Sequence, residues 1–425
     1  MQRFIQGILG VGTIFLVVHK LSQDQQGWYF TFSSIAAVYT IFDLGLSVVL
    51  VQLSAHLFSR LKWLDRGNFE GVMTKQFAKL AHQSVRFYLQ LALFYLIIVG
   101  LLGIVFFSHK ETHLALSSEW VIPWISLVFF TALNVLTLPF IALIEGSGRV
   151  SEVYHLRTIQ SLLGSLFLWM ALIFGYQLWA LSMLPLISFL VVLIWLIYSK
   201  PVFLKTAFSK GVQDFHWKEE VWPLQWRVGL SWFAGYLLTQ IYTPILFHFD
   251  GPKVAGQMGL SLTIANMLGL LAQSWIARRV PDMGKSVANK DWEKFDRMFK
   301  HDFKLSLLMY LLGGFLLCVL VILINDFSHY GERVLPILPF IGLLAVVLVN
   351  HITGALASHL RSYKKEPLVF ISLISTLVTI PIALYGASEF SVNGVVAAIL
   401  LVQLVFTLPV TIFYWFKFNR EWRVD

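Results

Sequence analysis

Asp43 falls near the middle of an apolar run over residues 28–56, where a carboxylate is out of place. A charge at the centre of a membrane helix costs roughly 2.5–3.5 kcal/mol on insertion scales, so it must meet a partner or a wet cavity. Tyr39, Thr40 and Ser47 stand at i−4, i−3 and i+4 and share its helical face. A gating carboxylate and a helix-packing one both fit this pattern. A second polar stripe, Ser231, Gly235, Thr239 and Tyr242 with Gln240 beside it, marks residues 222–249. Arg227 sits on the shoulder of that segment, where it either lines a cavity or snorkels toward lipid phosphate. Residues 120–146 carry Asn134 and end in Glu145. Asn266 and Gln273, Asn350 and Gln403 are scattered through later apolar segments. Isolated amides of this kind commonly join membrane helices to one another.

The chemistry that is missing narrows the field. No G-x-x-x-x-G-K-[ST], H-E-x-x-H or G-x-S-x-G occurs. The single cysteine, Cys318, lies inside an apolar run and can form no intramolecular disulfide. His19, His56, His248, His351 and His359 fall at the ends of apolar segments without a metal-ligand pattern. The expectation is a chain with no catalytic residue, no metal and no cofactor. Leu64-Asp65-Arg66-Gly67 is similar to the D-R-x-G loop of major-facilitator transporters, but the flanking glycine and trailing basic pair are missing.

These polar groups need positioning elements, and composition says which. Hydrophobic residues make up 57% of the 425 and charged residues 13%, about half the charge of a soluble chain. Apolar runs recur near 2–20, 28–56, 85–107, 120–146, 152–174, 177–199, 222–249, 251–275, 304–325, 332–358, 367–385 and 392–416. They run from 19 to 29 residues, enough to cross roughly 30 Å of hydrocarbon, which takes about 20. The first is basic, then apolar, without a small-x-small cleavage site, and reads as an uncleaved helix. Of the 32 Lys and Arg residues, 27 fall on the side of the termini and the even-to-odd loops, 4 on the opposite side, and Arg227 within a span. Positive loops stay cytoplasmic, so both termini are expected inside. The net charge of +9 therefore reads as topology rather than as a nucleic-acid surface. Trp28 and Tyr29, Trp120 and Trp124, Trp217 and Trp222, and Trp415 and Trp422 mark interfaces. Pro123, Pro139, Pro185, Pro244, Pro336, Pro339, Pro381 and Pro409 permit bends in the spans.

Six spans precede a basic loop at 200–221 and six follow it. The division expected is a lobe over 1–199, a cytoplasmic linker over 200–221 and a second lobe over 222–425. Both halves carry a long basic loop after their second span and then an amphipathic stretch. These stretches place Phe69, Val72, Met73, Phe77 and Leu80, and then Trp292, Phe295, Met298 and Phe299, at helical spacing among Lys and Arg. Such helices are expected to lie in the headgroup plane. Six is even, so the repeats are parallel, and a transport site is expected between them near mid-membrane.

Gly27-Trp28-Tyr29-Phe30 followed by Phe42-Asp43-Leu44-Gly45-Leu46 resembles the start of Wzx-type oligosaccharide flippases of the polysaccharide-biosynthesis family. That family belongs to the multidrug/oligosaccharidyl-lipid/polysaccharide exporter superfamily. Val254-Ala255-Gly256-Gln257-Met258-Gly259, Pro281 and Asp291-Trp292 in the second half agree with it. Trp222-Pro223-Leu224-Gln225-Trp226-Arg227, with Ser231-Trp232 and Gly235-Tyr236, resembles a subgroup of lipopolysaccharide or polysaccharide biosynthesis proteins. The resemblance implies an all-α, V-shaped bundle of two six-helix lobes in the bacterial inner membrane. It implies a cargo of undecaprenyl-diphosphate-linked oligosaccharide, moved by alternating access for O-antigen or other surface polysaccharide. Membrane lipids and the polysaccharide polymerase machinery are its expected partners. On this reading Arg227 and Arg157 hold the diphosphate, while Asn, Gln and Tyr groups meet the sugars. Many relatives carry an acidic residue midway along the seventh span. Here that region reads Gln240-Ile241-Tyr242-Thr243-Pro244.

Two other readings stay open. One is a cation-coupled multidrug exporter of the same superfamily, for which an acidic cluster in the first or seventh span would speak. The other is a membrane-embedded polysaccharide polymerase or ligase. Such enzymes usually build their site on a large outer loop, and the longest outer loop here is about 108–119.

Overall fold

The computed structural model describes residues 2–43, 45–108, 117–208, 217–363, 365 and 367–423. Inside its helices, the side chains of residues 2–4, 117, 118, 218, 220, 223, 224, 227, 228, 231, 232 and 329 lie outside the description. Arg227 and Ser231 are therefore candidates whose side chains are not described. Most of the outer loop at 108–119 and all of the stretch 209–216 also fall outside it.

The chain is a multi-pass, almost entirely helical membrane protein. Among the described residues, nine helices are long and apolar enough to cross a membrane. One of them, Val369–Glu421, has 53 residues. At 1.5 Å per residue it would reach about 80 Å, well over twice the hydrocarbon thickness. It turns back at Ser391, whose φ is 54° and ψ −141°. Gly386 and Gly394 pack against each other across the turn: a Cβ on Gly394 would lie 2.0 Å from the Gly386 carbonyl oxygen. Eight residues apart in a straight helix they would be about 12 Å apart. The run is thus two spans, 11 before Ser391 and 12 after it, in a tight hairpin. The shorter Gln2–Lys20 and the pair Trp222–Gln240 and Tyr242–Asp250 complete twelve segments, as the sequence predicts.

Contacts divide the chain into two units, Met1–Tyr236 and Leu237–Asp425. In the first, span 5 (Val150–Ile173) lies along span 6 (Ala180–Ser199) and span 1 (Gln2–Lys20). Trp169 Nε1 donates to Thr13 Oγ1 at 2.9 Å, and the Trp169 ring covers Gly12, which ties spans 1 and 5 together. In the second, span 8 (Pro252–Ala277) packs on span 9 (Trp292–Phe327) and span 10 (Ile337–Arg361).

Several spans are broken, each for a local reason. Span 2 is three helices, Gln23–Ala36, Tyr39–Asp43 and Leu46–Phe58. Ser22 opens it with a capping box, accepting from Gln25 N at 3.1 Å while its own N–H donates to Gln25 Oε1 at 3.0 Å. Gly45 starts the third piece at φ 65°, a left-handed conformation open to glycine at little cost. Breaking the helix at Ala36 orphans backbone carbonyls, which need partners in hydrocarbon. Tyr95 OH donates to Ala36 O at 2.8 Å and Tyr236 OH to Ser34 O at 2.9 Å. Pro139, Pro244 and Pro409 each sit in the first turn of a new helix, beginning at Leu138, Tyr242 and Leu408. Pro123, Pro185 and Pro381 lie inside continuous helices.

The two amphipathic stretches differ from expectation. Residues 61–63 and 69–71 form a two-stranded antiparallel hairpin, with Leu61 opposite Gly71. Asp65-Arg66-Gly67, in the segment similar to a major-facilitator loop, is its tip, with Arg66 and Gly67 both left-handed. Helix then runs unbroken from Thr74 to Ser108 and, in the second unit, from Trp292 to Phe327. Neither stretch is a separate helix in the headgroup plane. No proline or glycine interrupts 74–99 or 292–312, so the helix propagates straight into the span. The apolar faces are covered by protein. Phe77 is buried against Phe58, Phe69 and Phe203, the last on the helix Pro201–Phe208. Phe295 and Phe299 are buried against His359, with Tyr363 and Trp415 beside them.

Ion pairs pin the basic end of the second unit. Asp302, only 2% exposed, accepts from Arg278 Nη2 at 3.0 Å and Arg279 Nε at 2.8 Å. Asp296 takes both terminal nitrogens of Arg423, whose guanidinium also lies over the Trp292 ring. The Asp296 carboxylate holds the Arg423 guanidinium above its ordinary value, and burial pushes the Tyr363 phenol up. A raised cation contributes fully below its unfolded pKa, so this contact persists throughout the physiological range. Asp302→Ala is expected to cost about 1–2 kcal/mol, since both arginines are half-exposed and regain water. A fall in thermal midpoint in detergent, absent from an Asp282→Ala control, is the measurement.

Candidate functional site: a polar cavity in the first unit

A cavity of about 480 Å³ opens within the first unit, lined from spans 1, 2, 4 (Ser117–Val135 and Leu138–Gly146), 5 and 6. Its size falls within the range of small-molecule sites, about 300–1,000 Å³. Gln160 and Ser161 mark its depth. They stand ten or eleven residues into span 5, roughly 15 Å from its end and near mid-membrane.

Three of the sequence candidates meet there: Tyr39, Asn134 and Arg157 all line the cavity. A fourth stands behind it. Arg157 Nη2 donates to Glu145 Oε2 at 2.7 Å, a pair formed between span 5 and the end of span 4. The side chains are 38% and 17% exposed, so the pair is not sealed, and Arg157 alone of the two lines the cavity. Asp43 does not line it. That carboxylate is buried at the break in span 2, where Oδ2 accepts from Ser47 Oγ at 2.8 Å and Oδ1 from the Tyr88 hydroxyl. Its partners are thus protein hydroxyls from span 2 and span 3 (Thr74–Ser108), one turn from Tyr39. Thr239 and Gln240 close the helix Trp222–Gln240 and belong to the second unit. Asn266 is half-buried in span 8 of that unit. None of the three lines this cavity.

The lining adds residues that the first scan of the sequence does not single out. Gln160 Nε2 donates to Ser188 Oγ at 2.7 Å and to Ser188 O at 3.3 Å. Gln6 Nε2 donates to Ser161 Oγ at 3.2 Å, bridging spans 1 and 5. Gln160 and Ser161 follow Arg157 at i+3 and i+4, a spacing visible in the sequence. Hydroxyls and amides are so frequent in membrane helices that this stripe does not stand out until Gln6 and Ser188 are seen to meet it. Asn350 and Gln403 find each other instead: Gln403 Nε2 donates to Asn350 Oδ1 at 2.9 Å, joining spans 10 and 12.

Chemically the cavity offers amide and hydroxyl donors and acceptors, with one cation offset by one anion. It presents no nucleophile paired with a base. Among the described residues, no group of three His, Cys, Asp or Glu side chains converges.

No protein-family profile matches the chain, and no curated protein does. Solved structures do. An inward-facing multidrug resistance MATE family transporter of the MOP superfamily superposes with a TM-score of 0.70 at 12% identity, over 97% of this chain and 96% of that one. An outward-facing structure of such a transporter gives 0.62 at 14% identity, over 100% and 94%. The lipid II flippase MurJ, in an inward closed conformation, gives 0.60 at 14% identity, over 97% and 86%. The chain has the fold that these membrane transporters share.

Proposed function

We propose that this chain moves an undecaprenyl-diphosphate-linked oligosaccharide from the inner to the outer leaflet of a bacterial inner membrane, by alternating access, for O-antigen or another surface polysaccharide. On this reading both termini are cytoplasmic, and the two lobes divide at the loop 200–221. The observation that carries it is the mid-membrane cavity lined by Gln6, Tyr39, Asn134, Gln160, Ser161 and Ser188, with Arg157 neutralised by Glu145. Sugar hydroxyls crossing lipid unaided would lose hydrogen bonds worth several kcal/mol each. This lining replaces them. Because Glu145 already holds Arg157, we assign the pair to the sugars rather than to the diphosphate. Arg227 remains the diphosphate candidate. The lipid tail stays in the bilayer, and an inside-negative potential favours outward movement of an anion by about 2.3 kcal/mol per charge per 100 mV.

The fold likeness to multidrug transporters, together with the buried carboxylate of Asp43, supports a second reading, a cation-coupled exporter. Deleting the gene and analysing butanol-extracted glycolipids and surface polymer separates the two. Loss of polymer, with single lipid-linked repeat units accumulating on the cytoplasmic leaflet, is the expected result. Normal polymer with altered drug tolerance would favour the exporter. Repeat units that reach the periplasm unpolymerised would mean a polymerase or ligase.

A further inference from the structure

A second cavity, of about 540 Å³, lies at the basic end of the first unit, outside the polar cavity. One face of span 5 forms its wall. Arg149, Glu152 and His155 occupy the outer turns of that face and Leu156 and Ile159 the inner ones, with Trp195 of span 6 opposite. Polar groups thus give way to apolar ones over roughly 15 Å of helix. That is the order in which a phospholipid presents headgroup, glycerol and acyl chain.

The charge balance is positive. Glu152 is shared: Oε1 accepts from Lys200 Nζ at 3.0 Å and Oε2 faces Arg149 Nη1 at 3.5 Å. One carboxylate therefore stands against two cations, both within 6 Å of the Trp63 ring. Lys200 is buried, but Arg149 is 44% exposed and keeps most of its donors for a ligand. Toward the membrane middle, Ile159 is exposed and continues the apolar surface. A soluble anion would have no use for that surface.

We propose that this cavity holds an anionic glycerophospholipid, its phosphate on Arg149 and its acyl chain along Leu156, Ile159 and Trp195. Bidentate phosphate contacts suit a guanidinium, and indole rings favour the headgroup level. The site is independent of the transport reading.

The test is native mass spectrometry of the full-length protein in detergent with phosphatidylglycerol, phosphatidylcholine or inorganic phosphate added. Wild type should retain phosphatidylglycerol about fivefold better than phosphatidylcholine, the preference that one basic residue supplies at a membrane surface. Arg149→Gln should lose that preference, while Arg420→Gln, an exposed arginine in the other unit, should keep it. Equal retention of both lipids by wild type overturns the proposal, as does an Arg149→Gln protein that still prefers phosphatidylglycerol. Displacement of phosphatidylglycerol by millimolar phosphate would assign the site to a soluble anion and overturns it too. Should Arg149→Gln fail to accumulate, a photoactivatable phosphatidylglycerol on wild type decides: label on the peptides of Leu156 and Trp195 supports the site, and label elsewhere sinks it.

Discussion

Arg157→Ala should lower surface-polymer export at least tenfold at normal protein levels, equivalent to about 1.4 kcal/mol or more of lost recognition. The variant removes the only cation lining the mid-membrane cavity among the described residues. It also strands Glu145, 17% exposed, without its 2.7 Å partner. Breaking a fully buried pair costs about 3–5 kcal/mol, and this half-open one should cost less, about 1–3. Loss of export could then reflect instability alone, and Arg157→Ala/Glu145→Ala removes that ambiguity. With the stranded charge gone, the double variant should regain the wild-type thermal midpoint and remain defective in export. A double variant that accumulates and exports normally would show that this pair does not touch the cargo. Gln160→Leu, which breaks the 2.7 Å bond to Ser188, should give a smaller loss in the same assay.

Gly394→Val should be the most damaging single substitution in the second unit. The Cβ would sit 2.0 Å from the Gly386 carbonyl oxygen and 2.5 Å from its carbon, both backbone atoms that no rotamer change can move. Spans 11 and 12 must separate by more than an ångström, which opens voids along both and strains the turn at Ser391. Overpacking against side chains typically costs about 1–3 kcal/mol, and a clash with backbone should exceed that. The expected outcome is loss of folded protein from the membrane fraction, or a thermal midpoint too low to measure in detergent. Gly284→Ala is the control. Its Cβ meets nothing within 4 Å, and replacing a helical glycine should be neutral or stabilising by up to about 1 kcal/mol. A folded Gly394→Val protein with an ordinary midpoint would mean that the hairpin packs differently.

Much of this architecture is legible in the sequence, because it rests on local properties. A membrane helix must satisfy its own backbone within one stretch of about twenty apolar residues, so twelve spans can be counted from composition alone. Helical spacing likewise put Tyr39 and Ser47 beside Asp43, and Ser47 does bond that carboxylate. What remained hidden depends on which helices meet. Arg157 and Glu145 are twelve residues apart on different spans, and only the packing of span 5 against span 4 makes them a pair. Tyr88 reaches Asp43 from span 3, forty-five residues away, and so replaces the wet cavity that a lone carboxylate would have required. The apolar stripe ending at Phe299 spelled an amphipathic helix, whereas in the stripe ending at Leu80 Phe69 belongs to the hairpin, Val72 and Met73 to a turn, and only Phe77 and Leu80 to the helix. A sequence cannot say whether such a stripe meets lipid or protein, because both bury the same methyl groups. Tertiary packing gave those faces to Phe203 and His359. The sequence by itself determined the membrane class, the span count and the polar positions. Tertiary structure alone decided which polar groups share a cavity and which satisfy one another, since that choice depends on contacts between segments far apart in the chain.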